Sequence, residues 1–215
     1  MTRLVYLKLG GSLITDKNNP HTANLEAIHF LAQELKAVLK NFPDLQVVLG
    51  HGSGSFGHVP ASKYRTRQGV NTPGEWQGFV EVWAEASALN RIVVEQFLSV
   101  HLPVVSLPPS ASLTSANGQV EQWNITPIAD ALDHALIPVI YGDVIFDRIS
   151  GGTIFSTEQL FSALAGFLLP ERVLITGSEP GVWADFPTCT QLIPEITPAS
   201  HREIAKKVFP SSSVD

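Results

Sequence analysis

The residues best suited to chemistry lie in two glycine-rich stretches near the N-terminus, KLGGS at 8–12 and HGSGSFGH at 51–58. Adjacent glycines let the backbone approach a ligand closely, and successive free N–H groups form a concave site for an anion. Lys8 stands immediately before the first glycine pair, where its charge could contact a phosphate. Lys17, a few residues on, could neutralise charge on a phosphoryl group in transfer. These residue types indicate a site for phosphate groups.

The second stretch also carries the spacing G-x-G-x-x-G, at Gly52, Gly54 and Gly57, of dinucleotide-binding oxidoreductases. That fingerprint requires a βαβ unit and an acidic residue about twenty positions on, at the end of the next strand. Glu75 lies near that distance, but residues 60–74 are interpreted as a polar loop, and no strand is predicted to end at Glu75. We therefore favour an anion-binding turn over an oxidoreductase.

Two histidines enclose this stretch, and an aspartate follows a later predicted strand. His58 could donate a hydrogen bond to a phosphate, with a capping or core histidine as the equal alternative, and His51 is interpreted as structural. Asp143 follows the apolar run 138–141, and ligands of open α/β sheets bind at the carboxyl ends of strands. Asp143 could hold lysines in position or approach a magnesium ion, although it could also be an ordinary turn residue.

Two segments further along are weaker candidates for ligand contacts. Ser156, Thr157 and Glu158 open a predicted helix, and the first N–H groups of a helix can bind an anion. Thr176 and Gly177 follow another predicted strand and could contact a nucleotide.

Apolar periodicity predicts the elements that must position these residues. Strands are expected at 4–9, 46–49, 103–107, 138–141 and 172–176, with helices at 25–39 and 75–98 and helical segments before the last two strands. Hairpins are expected at 111–123, around Asn117-Gly118, and at 144–155. Strands that alternate with helices predict an α/β fold with a mostly parallel sheet, helices on both faces and β-hairpin additions, in a single domain 1–215.

The composition limits the classes of partner. The chain has 215 residues, 44% hydrophobic and 16% charged, with a formal net charge of −6, and no basic stripe of a nucleic-acid binder is visible. Cys189 is the single cysteine, so no disulfide within the chain and no thiolate metal site is expected, which suits a reducing cytoplasm. The N-terminal apolar run is too short for a membrane span.

The ordered motifs resemble the amino acid kinase superfamily, and within it the family of isopentenyl phosphate kinases. The resemblance lies in residues 8–17, 51–58, 67–98, 141–144, 151–160 and 174–183, which span nearly the whole chain. It implies a three-layer αβα sandwich, ATP-dependent phosphorylation of isopentenyl phosphate, magnesium bound with ATP, no metal held by the protein alone, and a homodimer.

The resemblance also implies roles for individual residues. Lys8 would contact the ATP phosphates, Lys17 would stabilise the transferring phosphoryl group, His58 would hydrogen-bond the acceptor phosphate and Asp143 would organise the lysines. The expected nucleotide contacts are Lys8, Gly10, Gly11, Ser12, Gly54, Thr176 and Gly177. The expected acceptor contacts are Ser53, Gly54, His58 and Thr157, with Phe79 and Trp83 lining an apolar slot unless they are ordinary core residues.

Several positions depart from the family pattern. Ser53 replaces a usual third glycine, Thr157 and Glu158 stand where many members have Gly-Asp, and Thr176-Gly177 lacks a following aspartate. The chain is also expected to lack the family's C-terminal end. These departures leave open a fosfomycin kinase-like or other small-molecule phosphate or phosphonate kinase, and a non-catalytic nucleotide-binding relative.

Overall fold

The fold is seen in a computed structural model that describes residues 3–16 and 19–206, without the side chains of His58 and Val59. The predictions for Lys17 and for the His58 side chain therefore fall outside the described residues. The strands are β1 (Arg3–Leu9), β2 (Leu45–His51), β3 (Val104–Ser106), β4 (Leu113–Ala116), β5 (Gln119–Trp123), β6 (Ile137–Tyr141), β7 (Asp143–Asp147), β8 (Gly151–Phe155), β9 (Arg172–Thr176), β10 (Val182–Trp183) and β11 (Leu192–Ile193). The α-helices are α1 (Gly11–Ile14), α2 (Leu25–Asn41), α3 (Gly54–Tyr64), α4 (Pro73–Ser99), α5 (Thr126–Asp133), α6 (Thr157–Leu164) and α7 (Pro198–Ala205).

The central sheet has five strands in the order β3-β6-β2-β1-β9, and every neighbouring pair is parallel. At its carboxyl edge, Leu9 of β1 lies beside both His51 of β2 and Thr176 of β9. The predicted parallel sheet is therefore confirmed. Because all its strands run the same way, the loops that follow β1, β2, β6 and β9 leave the sheet at one edge.

Helices cover both faces of this sheet, which confirms the three-layer sandwich. On one face, α2 and α4 bury Ile28, Leu89 and Phe97 against the strands. On the other, α5 and α6 bury side chains that include Leu132 and Phe161. Successive strand residues point to opposite faces, so Tyr6 and Lys8 of β1 share the α6 side.

A second sheet, in the order β5-β4-β7-β8, contains both predicted hairpins. Asn117 and Gly118 have φ of 51° and 70°, the conformation that a two-residue turn between antiparallel strands demands. The buried Asp147 carboxylate accepts hydrogen bonds from the Gly118 and Ser150 N–H groups, among others, and so joins the two hairpin turns. Burial opposes ionisation of Asp147, but these hydrogen bonds hold its pKa well below the usual range.

One prediction was wrong: residues 60–74 are not a loop throughout. Helix α3 continues through Pro60 to Tyr64, and α4 already begins at Pro73. A proline and glycines favour a break here, but Phe56 and Ala61 are buried, and a Cβ on Gly78 would collide with the Tyr64 ring. Tight packing of α3 on α4 therefore overrides local propensity.

As the sequence predicted, Glu75 nonetheless does not follow a strand. It lies in the first turn of α4, where its carboxylate accepts from the Thr72 N–H at 2.8 Å and closes a capping box. Within residues 3–16 and 19–206, every helix is too short or too polar to span a bilayer.

Candidate active site

The carboxyl edge of the central sheet brings three predicted segments together. The Gly10 N–H donates to the Thr176 carbonyl at 2.9 Å, and the Gly52 N–H donates to the Leu9 carbonyl at 3.0 Å. The Thr176 hydroxyl donates to the Lys8 carbonyl at 3.1 Å. The adjacency of β9, β1 and β2 thus places the first glycine loop, residues 10–12, between the second glycine loop, residues 52–54, and residues 176–177.

The two glycine loops touch, which explains the need for glycine in both. A Cβ on Gly11 would lie 2.6 Å from the Gly54 nitrogen. A Cβ on Gly10 would collide with the Thr176 carbonyl and lie 3.2 Å from the Gly177 Cα. Ser12 extends the same contact, because the Ser178 hydroxyl lies 3.3 Å from its Oγ.

Gly54 and Ser53 differ in what their backbone requires. Gly54 has φ of +50°, and a Cβ there would collide with the Thr15 side chain, so both conformation and space demand glycine. Ser53 has φ of −79° and ψ of −18°, which any residue adopts. A serine in place of the third glycine therefore costs no backbone strain.

Thr15 is a residue of this site that sequence reasoning missed. Its buried hydroxyl donates to the Gly11 carbonyl at 2.7 Å and accepts from the Ser55 N–H at 3.0 Å. One side chain therefore joins the first glycine loop to the first turn of α3. A threonine between ordinary loop residues carries no sequence signal for this contact.

The contact of Lys8 differs from the expectation. Lys8 is buried, with a side chain 6% exposed, and its ammonium donates to the carboxylate of Glu158, which is 43% exposed. We expected Asp143 to organise both lysines, whereas the carboxylate that contacts Lys8 among the described residues is that of Glu158. The reason is topological: Lys8 faces α6, and Glu158 lies in the first turn of that helix. The expected contact of Asp143 with Lys17 lies outside the described residues.

Asp143 instead starts β7 and faces Ser110. Its carboxylate accepts from the Val144 N–H at 2.8 Å and from the Ser110 N–H at 3.4 Å. Burial raises the pKa of Asp143 to about 6, against the opposing effect of the Ser110 and Val144 hydrogen bonds.

This raised pKa predicts an unusual pH dependence of stability. Asp143 binds more protons in the folded than in the unfolded chain between about pH 4 and 6, so its contribution is full at lower pH and lost as the pH rises. We expect the free energy of unfolding of Asp143→Asn to rise relative to that of wild type as the pH increases. The difference should grow by about 2–3 kcal/mol from about pH 4 to about pH 7. Urea unfolding across that range measures the difference, with the exposed Asp133→Asn as the matched control. Parallel curves for wild type and Asp143→Asn would contradict it.

Thr157 begins α6, but its side chain is already engaged. It is buried, and its hydroxyl donates to the His51 carbonyl at 2.6 Å. Ser156 caps the helix by accepting from the Gln159 N–H at 3.3 Å. Because its hydroxyl proton is already donated, Thr157 can donate to a phosphate only through its backbone N–H, which the first turn of a helix leaves without an intrahelical partner.

The two aromatic residues of α4 that were expected to line an acceptor slot, Phe79 and Trp83, lie in different surroundings. Phe79 is 5% exposed and packs against Trp76 and Phe146, with ring centroids 5.2 Å and 5.1 Å apart. Trp83 is 46% exposed and is not part of that ring cluster among the described residues. The structure therefore brings Phe79 together with Trp76 and Phe146, and not with Trp83.

Comparison with known proteins agrees with this architecture. The family model described as "Amino acid kinase family" matches residues 3–213. A relative from Methanocaldococcus jannaschii is 30% identical over 85% of this chain and 72% of its own length. A relative from Haloferax volcanii is 34% identical over 90% of this chain and 75% of its own length. A solved structure, described as X-ray structures of isopentenyl phosphate kinase, has a TM-score of 0.78 and 30% identity over 86% of this chain and 78% of its own.

A parallel sheet with two touching glycine loops and a buried lysine at one edge is an arrangement suited to binding phosphate groups. The chain belongs to the amino acid kinase family. The relatives from Methanocaldococcus jannaschii and Haloferax volcanii are both named isopentenyl phosphate kinase.

Proposed function

We propose that the chain is a kinase that transfers the γ-phosphoryl group of ATP to isopentenyl phosphate, forming isopentenyl diphosphate. The observation that carries the proposal is the contact of the two glycine loops beside Lys8: a Cβ on Gly52 would lie 3.1 Å from the Gly11 nitrogen and 3.6 Å from the Lys8 Cε. Backbone donors and one buried cation thus converge at the edge where ligands of parallel sheets bind. We infer isopentenyl phosphate as the acceptor from the names of the similar proteins.

The chemistry needs little more from the protein than charge and placement. An acceptor phosphate is already a nucleophile at neutral pH, so the described residues need not supply a strong base. Lys8 attracts the phosphate groups, Glu158 holds its ammonium in place, and the loops offer N–H groups that require no reorganisation during transfer. Lys17 and His58 retain their proposed roles on the transferring group and on the acceptor phosphate.

ATP fits this site by the chemistry of its donors. Gly11, Ser12 and Gly54 would contact its phosphates through backbone N–H groups, and Thr176 with Gly177 would lie near the nucleotide. Gly10 would contact the phosphates by close approach of its backbone, because its N–H already donates to the Thr176 carbonyl. Magnesium, bound through the ATP phosphates, would neutralise their charge; no group of three or more His, Cys, Asp or Glu side chains within 3–16 and 19–206 could itself hold a metal ion. We also propose that the protein forms a homodimer and is located in the cytoplasm.

The acceptor is tested by ADP release with isopentenyl phosphate, dimethylallyl phosphate, fosfomycin and UMP. We expect kcat/KM to be highest for isopentenyl phosphate, and His58→Ala to lower it mainly through KM for the acceptor. Turnover of fosfomycin or UMP without turnover of either isoprenoid phosphate would reject the assignment. Wild-type kinetics in His58→Ala would reject the role of His58 alone.

A further inference from the structure

His51 is a buried histidine at the end of β2, directly before the second glycine loop. It is 1% exposed, and its ring stacks on Tyr141 with centroids 5.3 Å apart and planes 6° apart. Its Nδ1 lies 3.0 Å from the Gly52 carbonyl oxygen, and its Nε2 lies 3.2 Å from the Asn90 side-chain oxygen. Two acceptors therefore face a ring that, when neutral, has only one N–H to donate.

The surroundings favour the neutral ring. Burial is the main influence that lowers the pKa of His51, and the positive charge of Lys8 lowers it further. The Asn90 amide also lies 2.6 Å from the Ser106 hydroxyl. If the amide is turned over, its NH2 donates to Nε2 and its oxygen accepts from Ser106, so every group is satisfied without a charged ring. The remaining ring proton then lies on Nδ1 and is donated to Gly52.

This hydrogen bond determines which way the next peptide faces. A trans peptide is planar, and its carbonyl and N–H point in opposite directions. Since the Gly52 carbonyl is held toward the buried ring, the Ser53 N–H must point away from it. A flipped peptide would instead present a carbonyl, which repels a phosphate, and glycine resists such a flip least of all residues.

We propose that His51 is a positioning residue, which locks the Gly52–Ser53 peptide with the Ser53 N–H toward a bound phosphate, while Asn90 and Ser106 hold the imidazole. The proposal rests on the phosphate-binding role of the loop in the proposed function. It assigns a purpose to a histidine that the sequence left as structural.

Two substitutions separate the two ring contacts. His51→Asn places an amide nitrogen near the position of Nδ1 and can keep the bond to Gly52, whereas His51→Gln reaches the position of Nε2 and keeps only the contact with Asn90. We expect kcat with isopentenyl phosphate to fall about 10- to 100-fold in His51→Gln and less than about threefold in His51→Asn. Melting temperatures should fall similarly in both, because each loses one buried hydrogen bond.

A purely structural role predicts a different pattern. If the two variants lose kcat equally, or if the loss follows the melting temperature, the positioning role is overturned. Should wild type turn over none of the acceptors, calorimetric binding of inorganic phosphate tests the positioning role independently. Weaker phosphate binding in His51→Gln than in wild type and His51→Asn supports the role, and equal affinities in all three overturn it.

Discussion

Lys8→Ala is expected to lower kcat by about 100- to 1,000-fold while the protein remains folded. Lys8 is the buried cation beside both glycine loops, and a preorganised charge in a site with little water stabilises a transferring phosphoryl group strongly. The fold should survive because the partner, Glu158, is 43% exposed and can be solvated when the ammonium is gone. ADP release at saturating ATP and isopentenyl phosphate measures the loss.

The control for this experiment is Lys36→Ala, which removes the same charge from the exposed surface of α2. It should retain the wild-type kcat, and circular dichroism should show all three proteins equally folded. A Lys8→Ala enzyme with more than about a tenth of the wild-type kcat would remove Lys8 from the proposed mechanism.

Gly54→Ala is expected to destabilise the fold by about 2–5 kcal/mol and to abolish turnover. Two causes combine at this position: a φ of +50° that disfavours any side chain, and a collision of the new methyl group with Thr15. The methyl group would also lie 2.9 Å from the Gly11 carbonyl oxygen, so the two glycine loops would be pushed apart. Urea unfolding and ADP release measure the two losses.

Other glycines of the chain separate these causes. Gly118 has φ of +70° but open space around it, so Gly118→Ala should cost only about 1 kcal/mol and leave turnover unchanged. Gly11 lacks positive φ but faces the Gly54 nitrogen, so Gly11→Ala should cost about 1–3 kcal/mol and most of the activity. Gly74 has neither constraint, and Gly74→Ala should be close to neutral. Equal losses in Gly118→Ala and Gly54→Ala would show that contact between the loops contributes nothing.

Sequence periodicity predicted the frame of the fold because its signals are local. Apolar runs of four to six residues identified five strands of the central sheet, and Asn117-Gly118 identified a hairpin turn. Sequence periodicity failed at α3, where glycine and proline disfavour a helix and packing against α4 stabilises one. Local preference decides an element when nothing stronger opposes it.

The sequence by itself determined which residue types could bind phosphate: a lysine before paired glycines, and a second glycine-rich stretch after another strand. Only the tertiary structure decided which of them meet. Strand order placed Gly11 against Gly54, the alternation of β1 turned Lys8 toward Glu158 of α6, and the end of β2 gave His51 its contact with Gly52. The physical reason is that such contacts join residues far apart in sequence, and their geometry follows from the order and register of strands that no local pattern encodes.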